Sequence, residues 1–410
     1  MTAVAIPRRH VLAALLAGLS MFGPFCIDAI FPAFPAIAAQ FGASTVAMQQ
    51  TISVYLIAYA AMSLLLGAFS DAWGRRNVIL AGVSVFLVAS VGCALAQTMP
   101  VLLVFRALQG CSAGLGLIVG RALIRDCFEG AEAQKLMAQI SMIFGVAPAL
   151  APVVGAWLVA LGSWHMLFWA LAAFAGLWLL LCALLLPETH PRELRSALSP
   201  RPLLLRYRSI IVDPDFLLLA LTLIFSFAGL FIYVAGAPGF ILSVLRLDQN
   251  AFYWLFVPAI SGLVLGSSLA GRLAGRVSVR ATLNIGSAIM LGAALLNVII
   301  AWRVVPARVP WAVLPIGVAG IGINFIAPTV NLLVIDRFPQ FRGSASSVQA
   351  CMSLTFCALL AGVVAPWLAH SALGLALASL LLYVLGFAAW RCYCVLAQRK
   401  PLPESELTEA

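Results

Sequence analysis

"GAFSDAWGRR", residues 67–76, is a short knot of charge between two long apolar runs. No Asp, Glu, Lys or Arg occurs from 29 to 70 before it, and none from 77 to 105 after it. Gly67, Asp71, Gly74, Arg75 and Arg76 crowd into a loop too short to wander. Gly67 and Gly74 permit close approach and a sharp turn. Arg75 and Arg76 suit the membrane face on which basic residues collect. Asp71, at the end of the preceding run, can accept from a neighbouring arginine or from a helix N-terminus.

The rest of the chain says what the runs are dissolved in. Its 410 residues are 63% hydrophobic and 9% charged, against roughly 45–50% and about 25% for a soluble domain. No water-soluble core hides that much apolar surface. Further charge-free stretches cover 136–187, 216–245, 249–271, 281–302, 309–335 and 343–390. A crossing helix needs about 20 apolar residues, so 136–187 and 343–390 each hold two. The pattern gives twelve helices, near 10–32, 48–69, 77–96, 98–120, 136–160, 164–187, 215–237, 250–271, 281–302, 310–333, 345–368 and 371–396. They are apolar all round rather than alternating, which favours helices over barrel strands. Arg8-Arg9 before the first run imitates a signal peptide, but the run is too long and a second follows at once. It is expected to stay as an anchor.

With the N-terminus in the cytoplasm, 20 of the Lys and Arg residues fall on the cytoplasmic side and only Arg246, Arg303 and Arg308 opposite. That is a strong positive-inside bias, and it accounts for the formal charge of +10 without a nucleic-acid partner. Both termini are then expected in the cytoplasm, in a cell inner membrane. The nine cysteines show no ligand spacing, so no metal site is expected.

Six spans precede the polar segment 188–214 and six follow it. This suggests bundles over 1–187 and 215–396, a cytoplasmic linker over 188–214 and a tail over 397–410. "GAFSDAWGRR" is faintly echoed by "SSLAGRLAGR" (267–276), with Gly275-Arg276 matching Gly74-Arg75. Asp126-Cys127-Phe128 is echoed by Asp336-Arg337-Phe338. Parallel six-helix repeats are the plan of a large class of secondary transporters.

The 67–76 loop resembles the loop 2–3 signature of the major facilitator superfamily. "FRALQG" (105–110), with Arg106, Gln109 and Gly110, is similar to that family's helix 4 element. "GVAPALAPVVGAWL" (145–158), with Gly145, Pro148, Pro152 and Gly155, is similar to the helix 5 motif of its drug/proton antiporters. "DAIFPAFPAIA" (28–38), "LPET" (186–189) and "GSASSVQA" (343–350) resemble the Bcr/CflA-like multidrug exporter group. The chain departs from the pattern at Ala72, Asn77 and Trp164-His165. The resemblance implies an all-α integral membrane protein of two six-helix bundles. It also implies a non-enzymatic drug:H+ antiporter working by alternating access.

Asp28 is the one carboxylate set inside the first span. A charge at mid-membrane costs about 2.5–3.5 kcal/mol on insertion scales and so faces protein or a watery cavity. There it could bind a proton or a cationic substrate in turn, which is the simplest basis of exchange. Arg106 is the other full charge well inside a span. The resemblance puts spans 1, 4, 7 and 10 around one chamber, with Asp28 and Arg106 on its walls. Arg106 could tune Asp28, orient water or bind an anionic group, or be purely structural on backbone carbonyls. Pro148 and Pro152 with Gly145 and Gly155 would bend and close-pack the fifth span. Tyr55, Tyr59, Tyr233 and Asn324 are candidates for the substrate cavity.

The expected partners are a lipophilic drug-like substrate, protons and the bilayer, with no cofactor and a monomeric state. A facilitator for a sugar, amino acid or organic acid is the rival reading. It would want more hydrogen-bonding groups at mid-membrane than the spans contain. A phosphate-cradling loop is absent, since neither Lys135 nor Lys400 has that setting.

Overall fold

The computed structural model describes residues 9–195, 199–273, 276–304 and 306–398. Gly275 of the sequence echo and the tail from 399 lie outside them. The first span is α1 (Arg9–Asp28), a 3-10 turn at Phe31–Ala33 and α2 (Phe34–Phe41). The second is α3 (Thr45–Trp73) and the third α4 (Arg75–Ala94). The fourth is split into α5 (Met99–Ser112) and α6 (Leu115–Cys127); α7 (Gly130–Ala160) and α8 (His165–Leu185) follow. The linker folds in part as α9 (Pro200–Ile211). The remaining spans are α10 (Pro214–Ala235), α11 (Tyr253–Leu273), α12 (Val279–Arg303), α13 (Leu314–Arg337), α14 (Arg342–Leu359) with α15 (Ala365–Leu368), and α16 (Ala372–Gln398). Among the described residues, eleven stretches are long and apolar enough to cross a membrane, and Gly145–Ala160 of α7 is a shorter apolar stretch in the place of the remaining span.

Three of the departures from the sequence-based bounds have local reasons. The first span runs on to Phe41 but breaks after Asp28. Pro32 has no N–H to give the Asp28 carbonyl four residues back, so α1 stops there. The fourth runs to Cys127 with a break at Ala113-Gly114. The seventh carries on past Ala235 into a π-helical stretch, Gly239–Val244, behind Pro238. The first and seventh spans therefore break near the same end.

The packing repeats between the halves. In the first, α1 packs on α7 and α6, α3 on α5, and α4 on α5 and α8. In the second, α10 packs on α14 and α13, α11 on α13, and α12 on α13 and α16. The halves meet mainly through α3 against α14 and α7 against α11. Each contact is the image of the other under exchange of halves. The first and fourth spans are thus left facing the seventh and tenth across a central cleft.

That cleft is closed at one end. Among the described residues, the span-to-span hydrogen bonds between the halves are Gln49 Nε2 to the Ala235 carbonyl (2.8 Å), Gln50 Nε2 to Gly362 (3.2 Å) and Ser53 Oγ to Ala358 (2.8 Å). Phe31 adds ring contacts to Phe252 and Phe256, with centroids 6.3 and 6.1 Å away. All of these lie toward the end remote from Arg75. At the arginine-rich end the linker ties the halves, through Tyr207 Oη donating to the Leu64 carbonyl (2.6 Å) and Arg206 over the Phe341 ring.

Candidate functional site

Asp28 ends α1 at the closed end of the cleft, 3% exposed. Its Oδ1 has no hydrogen-bond partner among the described residues. One helical face of α1 carries His10, Ala14, Met21, Pro24 and Asp28. His10 and Ala14 are exposed, Met21 is half-buried, and Pro24 and Asp28 are buried. The face is thus more exposed at its His10 end than at the carboxyl, with Ala17 already buried between Ala14 and Met21. A buried ionised carboxylate without partners is a costly state, so Asp28 is a group whose charge the surroundings do not supply for.

Arg106 is fully buried, and it does not pair with Asp28: no ion pair among the described residues joins them. Its Nε donates to the Thr51 carbonyl (3.1 Å). Its Nη1 is directed at the Cys26 carbonyl (3.2 Å), Cys26 Sγ (2.9 Å) and Gln109 Oε1 (3.0 Å). Its guanidinium lies over the Tyr55 ring, 4.6 Å from the centroid. Tyr55 Oη in turn donates toward the Gly23 carbonyl (3.0 Å), and Gln109 Nε2 donates to Ser90 Oγ (2.9 Å). This polar knot ties spans 1, 2, 3 and 4 together two residues before Asp28. Of the two sequence readings of Arg106, the geometry matches the one built on backbone carbonyls; its Nη2 alone is left without a partner.

Close approach holds the knot. A Cβ on Gly110 would run into the Tyr55 carbonyl, and one on Gly155 into the carbonyl of Ala29, beside Asp28. Gly155 of the fifth span therefore does press on the carboxyl's own turn. Gly145 does not: a Cβ there would meet open space. Pro148 and Pro152 lie inside α7 between them.

The other cavity candidates divide. Tyr59 is buried between the first and fourth spans, near Gly23 and Gly114. Tyr233 instead turns into its own half, where Asn297 Nδ2 donates to its hydroxyl (2.7 Å) and Phe240 meets it edge-on. Asn324 donates to the Leu263 carbonyl (2.6 Å) and Ser267 Oγ (2.9 Å), stitching α13 to α11. Tyr233 and Asn324 are engaged in packing contacts, because a buried hydroxyl or amide takes the nearest partner.

At the arginine-rich end, Arg75 is the hub. Its guanidinium binds Asp71, Ser70 Oγ (2.6 Å) and Asp126 Oδ2 (3.1 Å). Gly74 turns at φ +94°, which only glycine tolerates well, but Gly67 has open space around it and makes no close approach. Arg76 Nη2 donates to the Ala183 carbonyl (2.7 Å). Two residues of "LPET" complete the cluster. Glu188 Oε1 accepts from the Arg75 backbone N–H (2.9 Å), capping α4, and Thr189 Oγ1 donates to Asp126 (3.0 Å). Sequence reasoning treated Glu188, Thr189 and Asp126 as markers only. Their meeting with Arg75 across 51 and 113 positions leaves no local signal.

The comparisons agree with this architecture. The Major Facilitator Superfamily model matches residues 11–366. An uncharacterised MFS-type transporter, YdgK of Bacillus subtilis, is 32% identical over 88% of this chain and 88% of its own length. The multidrug transporter MdfA of Yersinia pestis is 30% identical over 70% of this chain and 71% of its own. The solved xylose transporter XylE from E. coli, in a partially occluded inward-open conformation, superposes with a TM-score of 0.69 at 14% identity, covering 96% of this chain and 97% of that one. Spans, repeat packing, the loop cluster around Arg75 and these matches agree, and the chain belongs to the major facilitator superfamily of membrane transporters.

Proposed function

We propose that this transporter exports lipophilic or amphipathic drugs in exchange for protons. The observation that carries it is Asp28, a buried carboxyl whose Oδ1 has no hydrogen-bond partner among the described residues, at the blind end of a cleft open toward the arginine-rich side. Similarity to a multidrug transporter supports the substrate class.

The positive-inside bias makes the arginine-rich side cytoplasmic, so the cleft opens to the cytoplasm of a cell inner membrane and both termini face inward. Alternating access then runs in three steps. Asp28 loses its proton while the cleft faces inward, and an amphipathic compound enters. The seal of Gln49, Gln50, Ser53 and Phe31 opens as the arginine-rich end closes. Asp28 takes a proton from outside and the compound leaves. The Arg75 cluster keeps the ends of spans 2, 3, 4 and 6 rigid through the swing. The chain needs no cofactor and works as a monomer, in bundles over 1–187 and 215–396 joined by the 188–214 linker.

The test uses everted membrane vesicles with an acid interior and a dye reporting the pH gradient. Adding a cationic dye or a neutral antibiotic should collapse the gradient with wild type and not with Asp28→Asn. A response to sugars or amino acids alone would move the chain to metabolite transport. An Asp28→Asn variant equal to wild type would make the carboxyl structural.

A further inference from the structure

The sequence presents 188–214 as a polar linker, yet the structure lays part of it against the spans as α9, Pro200–Ile211. Ile210 is fully buried, and Leu203 and Tyr207 half-buried, where α9 packs on α14 and α10. Tyr207 Oη reaches the Leu64 carbonyl (2.6 Å), nine residues before the end of α3 at Trp73. Nine residues are roughly 13 Å of helix, farther than a tyrosine side chain extends. So α9 lies beside the last turns of α3 and not beneath them. Trp73, exposed at that end, marks the headgroup level, where tryptophans collect. The other end of α9 is fixed as well. Val212 and Asp213 join it directly to α10, which Asp213 caps by accepting from the Phe216 N–H (2.8 Å). The helix is therefore held at the depth of the membrane surface.

What α9 turns away from the spans is apolar and basic. Residues seven apart stand close to two full turns apart and share a side. Leu204 with Ile211, Arg201 with Arg208, and Leu205 with Val212 form three such pairs side by side, all of them exposed. Leu204 is 72% exposed and Val212 66%. Water would meet four bare aliphatic side chains there, a costly surface for one short helix. The arginines go unanswered. No Asp or Glu occurs from 194 to 212, and among the described residues no ion pair engages Arg201 or Arg208. The next acid along the chain, Asp213, holds Arg337. Aliphatic side chains flanking arginines, on a helix held at the membrane surface, suit a surface of anionic lipid.

We propose that α9 is a docking surface for anionic phospholipid in the leaflet on the arginine-rich side, which is the cytoplasmic leaflet in the orientation proposed above. Leu204, Leu205, Ile211 and Val212 sit among the upper acyl chains. Arg201 and Arg208 reach the headgroup phosphates on their flexible stems. Because α9 also touches span 2 through Tyr207 and span 11 through Arg206 over Phe341, the lipid steadies the tie between the halves. The proposal does not depend on which substrate the transporter carries.

The test reconstitutes the full chain singly into nanodiscs of phosphatidylcholine, with or without an equal part of phosphatidylglycerol. Amide hydrogen exchange across α9 is followed by mass spectrometry, and thermal melting checks the fold of each variant. At about fivefold per arginine near an anionic surface, exchange in wild type should slow about tenfold or more when phosphatidylglycerol is present. High salt should reduce that slowing. The double variant Arg201→Gln, Arg208→Gln should exchange alike in both lipids. The double variant Leu204→Ser, Ile211→Ser should exchange faster than wild type in both, since the apolar part of the contact does not depend on headgroup charge.

Wild-type exchange that is the same in the two lipids overturns the proposal, as does a slowing that survives in the double arginine variant. So does protection of α9 that appears only when two chains share a nanodisc, which would make this face a contact between copies.

Discussion

Gly155 faces the carbonyl of Ala29, one residue beyond Asp28, so closely that no side chain fits between them. The fifth span thereby fixes the turn on which the candidate coupling carboxyl sits. Gly155→Ala should force the two backbones apart at a cost of about 1–3 kcal/mol, the range for overpacking. Drug-evoked proton release should fall steeply in this variant. Gly145→Ala, ten residues earlier in the same motif but in open space, should leave both melting and transport near wild type. Thermal melting and vesicle assays on the pair check this. Equal effects at the two glycines would refute the assignment of the motif's function to this one contact.

Arg106 should behave as a structural hub. Arg106→Ala leaves the Thr51 and Cys26 carbonyls without their donor and removes the cation from Tyr55. A loss of about 3 kcal/mol is expected, as for other broken buried charge networks. Lysine, with a point charge in place of a planar fork, should restore only part of it. A thiol-reactive dye reports melting directly, because Cys26 and Cys93 are buried in this knot. A variant that melts like wild type yet fails to transport would give Arg106 a chemical role instead.

The seal at the far end is made of few bonds, which suits an interface that must open. Each hydrogen bond contributes about 1 kcal/mol, so Gln49→Ala or Ser53→Ala should shift the balance between the open ends roughly fivefold. Phe31 is fully buried in the seal. The rate at which a maleimide modifies Phe31→Cys, followed by mass spectrometry, should rise by that factor when either bond is removed. An unchanged rate would mean that the phenylalanine contacts alone hold the end shut.

Glu188 caps α4 and pairs with Arg195 (3.6 Å). Glu188→Gln keeps an acceptor but removes the charge from a helix N-terminus, at about 0.5–1 kcal/mol. Glu188→Ala loses the cap as well and should cost about 1–2 kcal/mol. The linker should then loosen, and limited trypsin should cut after Arg195 faster in Ala than in Gln, and faster in Gln than in wild type. Identical digestion of all three would show that the cap does not hold the linker.

Much of the architecture was legible in the sequence, because lipid imposes a simple rule. Every backbone group must bond within its own segment, so spans stand out as long charge-free runs and charges mark their ends. Asp28 and Arg106 were legible as site candidates for the same reason, being exceptions to that rule. The gathering of Glu188 and Asp126 around Arg75 was not, because the two carboxylates lie 113 and 51 positions from it. Tyr233 and Asn324 looked like cavity residues because their spans line the cavity in the family. Which way each points depends on the partner it finds, Asn297 in one case and Ser267 in the other.

The sequence by itself determined that this is a twelve-span membrane protein with two similar halves, a charged loop between spans 2 and 3, and one carboxyl inside span 1. Those properties are written in the order and spacing of apolar and charged residues, which the bilayer reads one helix at a time. Only the tertiary structure decided that Arg106 binds backbone rather than Asp28, that Gly155 and not Gly145 closes on the turn after Asp28, and that "LPET" caps the third span. Each of these is a contact between residues tens of positions apart or more. Such contacts depend on which helix faces meet, and no local pattern encodes that.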